Sequence, residues 1–298
     1  MDNIQKNKTG YLNNDYELFH IKDKRNMEFM FHYHDFNKLI IFISGDVTYI
    51  IEGKNYKLKP WDILIVGSNQ VHRPIINPEQ TYERIVIWIN TSFLKKHSTS
   101  TDDLSLCFAK ACTGDKNILR IRPDMLPFLK SIITQLEDAG KSRLFGSKVL
   151  GNALLIELLV HINRIFLYET HFEPVEAEFD PQIKNLLEYI NKNLDKNLSI
   201  ENIASYFYTS KYHLMHKFKK HTGFSLHSYI TQKRLSLACS LLSQNQNASA
   251  VYTKCGFGDY SSFVRAFKKY YSISPREYAK NIKEASKLNA SHNHFFTS

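Results

Sequence analysis

Residues 214–221 read Leu-Met-His-Lys-Phe-Lys-Lys-His, and residues 263–270 read Phe-Val-Arg-Ala-Phe-Lys-Lys-Tyr, 49 positions later. In both stretches two large apolar residues lie four positions apart, and a pair of lysines follows the second one. A residue that favours helix N-caps precedes each stretch, Ser210 in the first and Asp259 in the second. Because apolar residues at this spacing give a helix one buried face, the sequence predicts two short helices of the same design with basic ends.

A shorter helix is predicted before each of these two. Residues 199–204 read Ser-Ile-Glu-Asn-Ile-Ala, and a short connection leads from them to Ser210. Residues 248–255 are followed by Gly256-Phe257-Gly258, and these glycines supply the tight turn that such a connection needs. The sequence therefore predicts two helix-turn-helix units in tandem, at about 199–221 and 248–270.

The C-terminal hundred residues resemble the DNA-binding domain of the AraC/XylS family of bacterial transcription regulators. The matching residues are Ala204, Ser210, Leu214, Phe218-Lys219-Lys220, Thr222-Gly223, Arg234-Leu235, Ala238, Leu241-Leu242, Gly256-Phe257, Asp259, Ser261, Phe263, Arg265, Phe267-Lys268-Lys269, Ser274-Pro275 and Tyr278. The resemblance covers about a third of the chain, and it implies sequence-specific binding to double-stranded DNA.

Departures from the family pattern concentrate in the second unit. Residues Ala248, Val251 and Tyr252 replace the usual Ile-x-x-Ile-Ala type of pattern, and Ser272 stands where glycine is usual. After the first unit, Leu226 stands where proline is usual. We expect the second unit to be looser, or to bind DNA more weakly, than the first.

Basic charge is concentrated in the same part of the chain. The net charge is +10, and residues 181–298 hold 17 Lys and Arg against 6 Asp and Glu, whereas residues 1–180 hold 22 against 23. An excess confined to the repeated helices favours a nucleic-acid-binding surface. A solvated surface that promotes solubility is the alternative explanation.

The cysteines and the apolar segments indicate a cytoplasmic protein. Cys107, Cys112, Cys239 and Cys255 form no Cys-x-x-Cys pair, so neither a zinc site nor a disulfide framework is predicted. Residues 1–6 lack the apolar core of a secretory signal, and no uninterrupted run of about 18 apolar residues occurs. We expect reduced thiols and no membrane partner.

Short apolar runs between residues 27 and 90 predict β-strands. The runs 39–43, 47–51, 63–66 and 85–89 are rich in β-branched and aromatic residues, and Gly, Asn, Asp and Pro separate them. Strands with turn signals at spacings near ten residues are typical of an antiparallel barrel or sandwich. The predicted fold is thus α+β with two domains: an N-terminal antiparallel β-barrel with a helical hairpin, and a C-terminal all-α domain.

The positions of three histidines indicate which kind of β-domain this is. His32 and His34 lie on one face of a strand because side chains alternate, and His72 follows a later strand. With Gly45, Gly53 and Pro60-x-Asp62 in order between them, these histidines give about sixty residues a resemblance to the cupin barrel, which forms the effector-binding domain of many AraC-family regulators. The resemblance implies a small-molecule pocket, whose predicted lining is His32, His34, Tyr49, His72, Arg73 and Trp88.

A metal cofactor is not predicted. A metal-dependent cupin carries a carboxylate ligand a few residues after the His-x-His pair, but this chain reads Lys38-Leu39 there. A lysine repels a divalent cation and offers no oxygen ligand. The three histidines are then either polar groups of the pocket or hydrogen-bonded structural residues, and we expect no metal, no cofactor and no enzymatic activity.

Two long helices are predicted between residues 122 and 170. Apolar residues recur there at spacings of three and four, first around residues 125–136 and then over 149–166. One face of this hairpin can cover the barrel, and the family resemblance implies that the other face forms a homodimer; packing within one chain is the alternative. Residues 171–180 are acidic, contain Pro174 and predict a linker. The predicted domains are 1–170 for effector binding and dimerisation, and 181–285 for DNA binding.

The second helix of each unit is expected in the major groove. With Leu214, Phe218, Phe263 and Phe267 buried, the outward residues are candidates for DNA contact. The candidates for base contact are Tyr212, Met215, His216, Tyr260, Ser261, Val264 and Arg265, and those for phosphate contact are Lys211, Lys219, Lys220, Lys268 and Lys269. Arg265 is the foremost candidate, because a guanidinium pairs with a guanine edge; a phosphate contact or an internal salt bridge is its alternative role.

These features together predict a ligand-responsive transcription regulator. The family resemblance favours an activator, which needs RNA polymerase as a partner, and a sugar as effector. One alternative is a cupin enzyme fused to a DNA-binding module, which metal analysis would reveal. The other is an effector-independent DNA-binding protein, whose thermal stability and operator affinity no small molecule would change.

Overall fold

The computed structural model describes residue 10 and residues 12–24, 29–113, 116–168, 180–244 and 246–281. The described residues up to 168 form one compact unit, the N-terminal unit, and those from 180 form a second, the C-terminal unit. Almost all of the predicted linker, 171–179, lies outside the described residues.

The N-terminal unit contains eight strands among its described residues. They are β1 Tyr16–Asp23, β2 Asn37–Ser44, β3 Val47–Ile51, β4 Lys54–Lys57, β5 Ile63–Val66, β6 His72–Ile76, β7 Tyr82–Ile89 and β8 Ile118–Leu119. All the paired strands run antiparallel, in one sheet of order β1-β7-β2-β5-β8 and another of order β4-β3-β6. The predicted closed barrel is therefore wrong in detail: the hydrogen bonds of the described strands form two separate sheets.

Strand β2 shows why the apolar run 39–43 does not alternate with polar residues. Leu39 and Ile41 pack into a core that the sheet shares with the helices, whereas Ile40 and Phe42 pack into a second core that includes residues of both sheets. Because both faces of β2 are buried, both sets of positions are apolar. Lys38 alternates with Leu39 and so lies on the same face as Ile40, between the sheets.

Ten named helices complete the described fold. Those of the N-terminal unit are α1 Thr91–His97, α2 Leu106–Thr113, α3 Leu126–Lys141 and α4 Ser147–Tyr168, and those of the C-terminal unit are α5 Pro181–Lys192, α6 Ile200–Tyr206, α7 Lys211–Thr222, α8 Leu226–Ser243, α9 Ala248–Lys254 and α10 Tyr260–Tyr271. Helices α1 and α2 have no counterpart in the sequence prediction. Residues 275–281 are also helical.

Helices α3 and α4 form the predicted hairpin and pack on the five-stranded sheet. Their buried residues include Leu129, Ile133, Leu155 and Ile162, which share a core with β2, β5 and β7. By length and a mean hydropathy of 1.5, α4 would also suit a membrane span. This packing explains the apolar residues of its inner face, which lie in the core, but Val149 and Leu150 at its start are exposed.

Candidate DNA-binding and effector-binding sites

The first helix-turn-helix unit consists of α6 and α7. Ser199 Oγ accepts a hydrogen bond from Asn202 N at 3.2 Å, and Ser210 Oγ accepts one from His213 N at 3.2 Å, so a serine caps each helix. Gly223 is the C-cap of helix α7, and its φ of +75° suits a residue without Cβ. These caps fix where the second helix starts and which of its residues face outward.

The outward face of α7 carries the residues predicted to contact DNA. Leu214 and Phe218 are buried, while Tyr212 is 78% exposed and Met215 is 39% exposed. His216, Lys219 and Lys220 are exposed as well. Lys211 differs from them, because its Nζ lies 2.6 Å from Glu201 Oε1 in an exposed ion pair. An ion pair of this kind is weak enough to be exchanged for a phosphate.

The second unit consists of α9 and α10. Asp259 Oδ1 accepts a hydrogen bond from Ser262 N at 2.7 Å and caps α10. Helix α10 buries Phe263 and Phe267, and its C-cap Ser272 has a φ of +63°. A serine in this left-handed conformation is strained where glycine would not be. The expectation of a looser second unit stays a prediction.

The predicted DNA contacts of α10 divide into two sets. Ser261, Arg265, Lys268 and Lys269 are exposed. Tyr260 and Val264 are half-buried and pack against the core of this unit, with the Tyr260 ring 5.8 Å from that of Tyr252. The structure therefore offers Arg265, rather than Tyr260 or Val264, as the extended outward side chain, with its Nη2 3.1 Å from Ser262 Oγ.

Helix α8 connects the two units. At 1.5 Å per residue its 18 residues span about 27 Å. The Tyr229 ring lies 5.3 Å from that of Phe218 in α7, and Tyr270 in α10 donates a hydrogen bond to Ser228 O at 3.4 Å. Both reading helices are thus held against the same rigid element.

A second connection runs through Arg234 of α8. Its Nε donates to Leu194 O at 2.9 Å and its Nη2 donates to Lys196 O at 2.6 Å. A Cβ on Gly256 would lie 2.1 Å from Leu194 O and 2.8 Å from Arg234 Nη2. Because only glycine permits this approach, the turn of the second unit lies directly on the segment that leads into the first.

Five of the six predicted effector-site residues come together in the N-terminal unit. His32 and His72 form a β-bridge, and their ring centroids lie 4.4 Å apart. The rings of His34 and His72 are separated by 5.1 Å, and those of Tyr49 and His72 by 6.0 Å. Trp88 lies 5.9 Å from His34, again between ring centroids.

Arg73 is the exception. It follows His72 in β6, and successive side chains of a strand point to opposite faces. Its guanidinium lies over the ring of Phe31, 4.3 Å from the centroid. The structure therefore places Arg73 away from the histidine cluster.

Lys38 also belongs to the cluster. It lies in β2 of the five-stranded sheet and is paired with Trp88 of the neighbouring strand β7. Its Nζ lies 2.9 Å from His34 Nε2 and 3.2 Å from His72 Nε2. Burial, and then the nearby Arg84, lowers the pKa of Lys38 to about 7. The sequence prediction treated Lys38 as an obstacle to a metal and missed it as a member of the site; its alternation with Leu39 was the signal that places it inward.

His32 and His72 are neutral at physiological pH. Burial, followed by the charge of Lys38, lowers the pKa of His32 to about 4, and the same causes lower the pKa of His72 well below its ordinary value. Neutral imidazoles beside a buried amine form a polar cluster with hydrogen-bonding capacity and little charge.

Two tandem helix-turn-helix units on one connecting helix, together with a β-sheet unit that holds a buried polar cluster, define a two-part DNA-binding regulator. Comparison with known families agrees with this class: residues 203–281 match the helix-turn-helix domain and residues 16–154 match the AraC-like ligand binding domain. The chain belongs to the AraC/XylS family, and it is a DNA-binding transcription regulator with a ligand-binding domain.

Relatives match over both domains or over the DNA-binding domain alone. The transcriptional activator RhaS of Enterobacter sp. (strain 638) is 24% identical over 251 residues, which cover 83% of this chain and 86% of RhaS. The arabinose operon regulatory protein of Escherichia coli (strain K12) is 27% identical over 252 residues, covering 83% and 81%. The multiple antibiotic resistance protein MarA of Salmonella typhimurium is 33% identical over 97 residues, covering 32% of this chain and 76% of MarA.

Proposed function

We propose that this protein is a cytoplasmic transcription activator that binds its operator as a homodimer, recruits RNA polymerase and responds to a small polar molecule such as a sugar. Two relatives support the proposal by name, since one is a transcriptional activator and the other regulates the arabinose operon. We also keep the domain bounds 1–170, 171–180 and 181–285, which agree with a division of the described residues at 180.

The observation that carries the effector proposal is the indole N–H of Trp88. This nitrogen is buried, and no described residue accepts a hydrogen bond from it. Phe36 and Phe19 flank the Trp88 ring, with centroids 4.7 and 4.8 Å away. Aromatic faces beside an unpaired donor suit a ligand that presents a C–H face and an oxygen acceptor, which is the chemistry of a sugar.

The proposed effector contacts are His32, His34, Tyr49, His72 and Trp88, with Lys38 added. For DNA we propose base contacts by Tyr212, Met215, His216, Ser261 and Arg265, and phosphate contacts by Lys211, Lys219, Lys220, Lys268 and Lys269. Exposure of these side chains supports the assignment. Four of them recur 49 positions later as well: Tyr212, His216, Lys219 and Lys220 match Ser261, Arg265, Lys268 and Lys269.

A ligand screen on the full chain tests the effector proposal. A panel of sugars should include one that raises the unfolding temperature of the N-terminal unit and changes operator affinity in the same concentration range. Trp88→Phe keeps the aromatic wall but removes the N–H, so it should weaken this ligand about 10-fold or more. Arg73→Gln is the matched control and should leave ligand affinity unchanged. A panel without any such ligand, or equal losses in both variants, would contradict the proposed site.

The homodimer proposal rests on apolar side chains at the start of α4 and just before it. Phe145, Leu144 and Val149 are 107%, 80% and 73% exposed. Apolar residues grouped on one end of a helical hairpin are typical of a surface that a second subunit covers. This surface, consisting of Leu144, Phe145, Val149 and Leu150, is called the hairpin patch below.

A further inference from the structure

Ring nitrogens of His32, His34 and His72 lie close together. His32 Nδ1 lies 2.9 Å from Met30 O, and His72 Nδ1 lies 2.8 Å from Gln70 O. A carbonyl oxygen only accepts hydrogen bonds, so both Nδ1 atoms carry the proton and both Nε2 atoms keep a lone pair. The three histidines can offer one ligand nitrogen each, all within 4.8 Å of one another. Three neutral imidazoles in this arrangement are a donor set that binds Zn²⁺, Co²⁺ or Ni²⁺.

The amine of Lys38 lies at the position where an ion would bind. Its Nζ is 2.9 Å from His34 Nε2 and 3.2 Å from His72 Nε2. A metal bonded to the same lone pairs at about 2.1 Å would lie only about 1 Å from Nζ. The residues present therefore do not fit a metal, although the cupin-like fold and the three histidines would otherwise suit one.

The amine also does chemically what an ion would do for the imidazoles. Each of the two lone pairs requires a partner, because a buried acceptor without one is costly. A lysine amine has at least two N–H groups in either protonation state, and two is the number that His34 and His72 need. Lys38 thus satisfies the histidines by hydrogen bonding instead of coordination.

We infer that Lys38 is a built-in substitute for a metal ion, and that removing its amine converts the histidine cluster into a site for a divalent transition metal. The wild-type protein keeps the cluster closed to such ions. Replacement of Lys38 by a small residue opens the position, and replacement by glutamate adds a carboxylate ligand at the same place.

Co²⁺ is the probe, because it reports coordination geometry through its visible absorption. We expect Lys38→Ala to bind about one equivalent per chain in the presence of a weak competing chelator, with the absorption of a four- or five-coordinate nitrogen site. Lys38→Glu should bind at least about 10-fold more tightly than Lys38→Ala. The double variant Lys38→Ala, His34→Ala should lose this absorption.

Wild-type protein serves as both control and counter-test. Other histidines on the chain can bind Co²⁺ weakly, so only binding that His34→Ala removes is counted. Wild-type protein that takes up an equivalent of Co²⁺ at the cluster would overturn the inference whatever the variants do. Folded Lys38→Ala and Lys38→Glu proteins, judged by circular dichroism, that bind no more Co²⁺ than wild type would overturn it too.

Discussion

Asp180 and Lys217 form an ion pair, with Asp180 Oδ2 2.9 Å from Lys217 Nζ. The same carboxylate caps α5, since its Oδ1 accepts hydrogen bonds from Gln182 N at 3.0 Å and Ile183 N at 3.2 Å. Lys217 belongs to α7, the reading helix of the first unit, and also donates to Gln182 Oε1 at 2.7 Å. The first described residue after 179 is therefore tied directly to a helix that we assign to the major groove.

Substitutions of Asp180 test this connection. Asp180→Asn keeps the cap and loses the ion pair, so we expect α7 to lose up to about 1 kcal/mol of local stability. Asp180→Ala loses both and should cost about 1 kcal/mol more, mainly in α5. Hydrogen exchange of peptides from α5 and α7 in the full chain measures both effects. If Asp180→Asn left exchange in α7 unchanged, the ion pair would have no structural importance.

Substitutions of Arg265 and Lys219 should change DNA binding in different ways. Arg265→Ala should lose about 1–3 kcal/mol on the preferred operator and relax the preference at one or two base pairs. Lys219→Ala should weaken binding to all sequences alike and reduce the salt dependence of log K by about one phosphate contact. Lys192→Ala, an exposed lysine of α5, is the control and should do neither. Titration of an operator library at several salt concentrations distinguishes the outcomes, and a uniform loss for Arg265→Ala would refute base reading.

Lys38 predicts an unusual pH dependence of stability. Its pKa of about 7 lies below the ordinary value of 10.5, so between these values the unfolded chain binds more protons than the folded one. The free energy of unfolding therefore rises with pH in this range, by about 2 kcal/mol from pH 7 to pH 9 through this group alone. Lys38→Met removes this titrating group, so the free energy of unfolding of the variant should rise about 2 kcal/mol less between pH 7 and pH 9 than that of the wild type.

Tryptophan fluorescence can follow this effect in the N-terminal unit. Both tryptophans of the chain, Trp61 and Trp88, belong to that unit, so urea unfolding monitored by their emission does not report the C-terminal unit. Equal pH dependence in wild type and Lys38→Met would mean that Lys38 keeps its ordinary pKa in the folded protein.

The exposed hairpin patch predicts that the protein is a dimer. Val149→Glu places a charge among exposed apolar side chains, so it should convert a dimer into a monomer of 34.8 kDa. Lys148→Glu is the matched control, because it changes charge at the adjacent position without removing an apolar group. Light scattering after size exclusion gives the mass. A wild-type monomer, or a dimer that Val149→Glu leaves intact, would contradict the proposal.

The C-terminal unit could be predicted in more detail than the N-terminal one, and the reason is physical. Helix caps such as Ser210 and Asp259, and apolar pairs such as Phe263 and Phe267, act within one or two turns, so the local sequence carries the information. The ion pair of Lys217 with Asp180 joins residues 37 positions apart, and no local pattern indicates it.

In the N-terminal unit the strands could be predicted, but whether they form a closed barrel could not. Alternation placed His32 and His34 on one face, and the structure brings both to His72. Whether β-strands close into a barrel or form two sheets depends on pairings between distant segments. The same alternation in β6 places Arg73 and His72 on opposite faces, so the two could not both line the predicted pocket.

If α7 and α10 both contact bases, the α8 helix that connects them, about 27 Å long, suits two neighbouring major grooves on one face of the duplex. A footprint of the full-length protein on its operator tests this arrangement most directly. We predict two protected segments per subunit whose centres lie about one helical turn of DNA apart. Tyr212→Ala should weaken protection of one segment, and Arg265→Ala should weaken protection of the other. A single protected groove, or the loss of the same segment in both variants, would contradict the account.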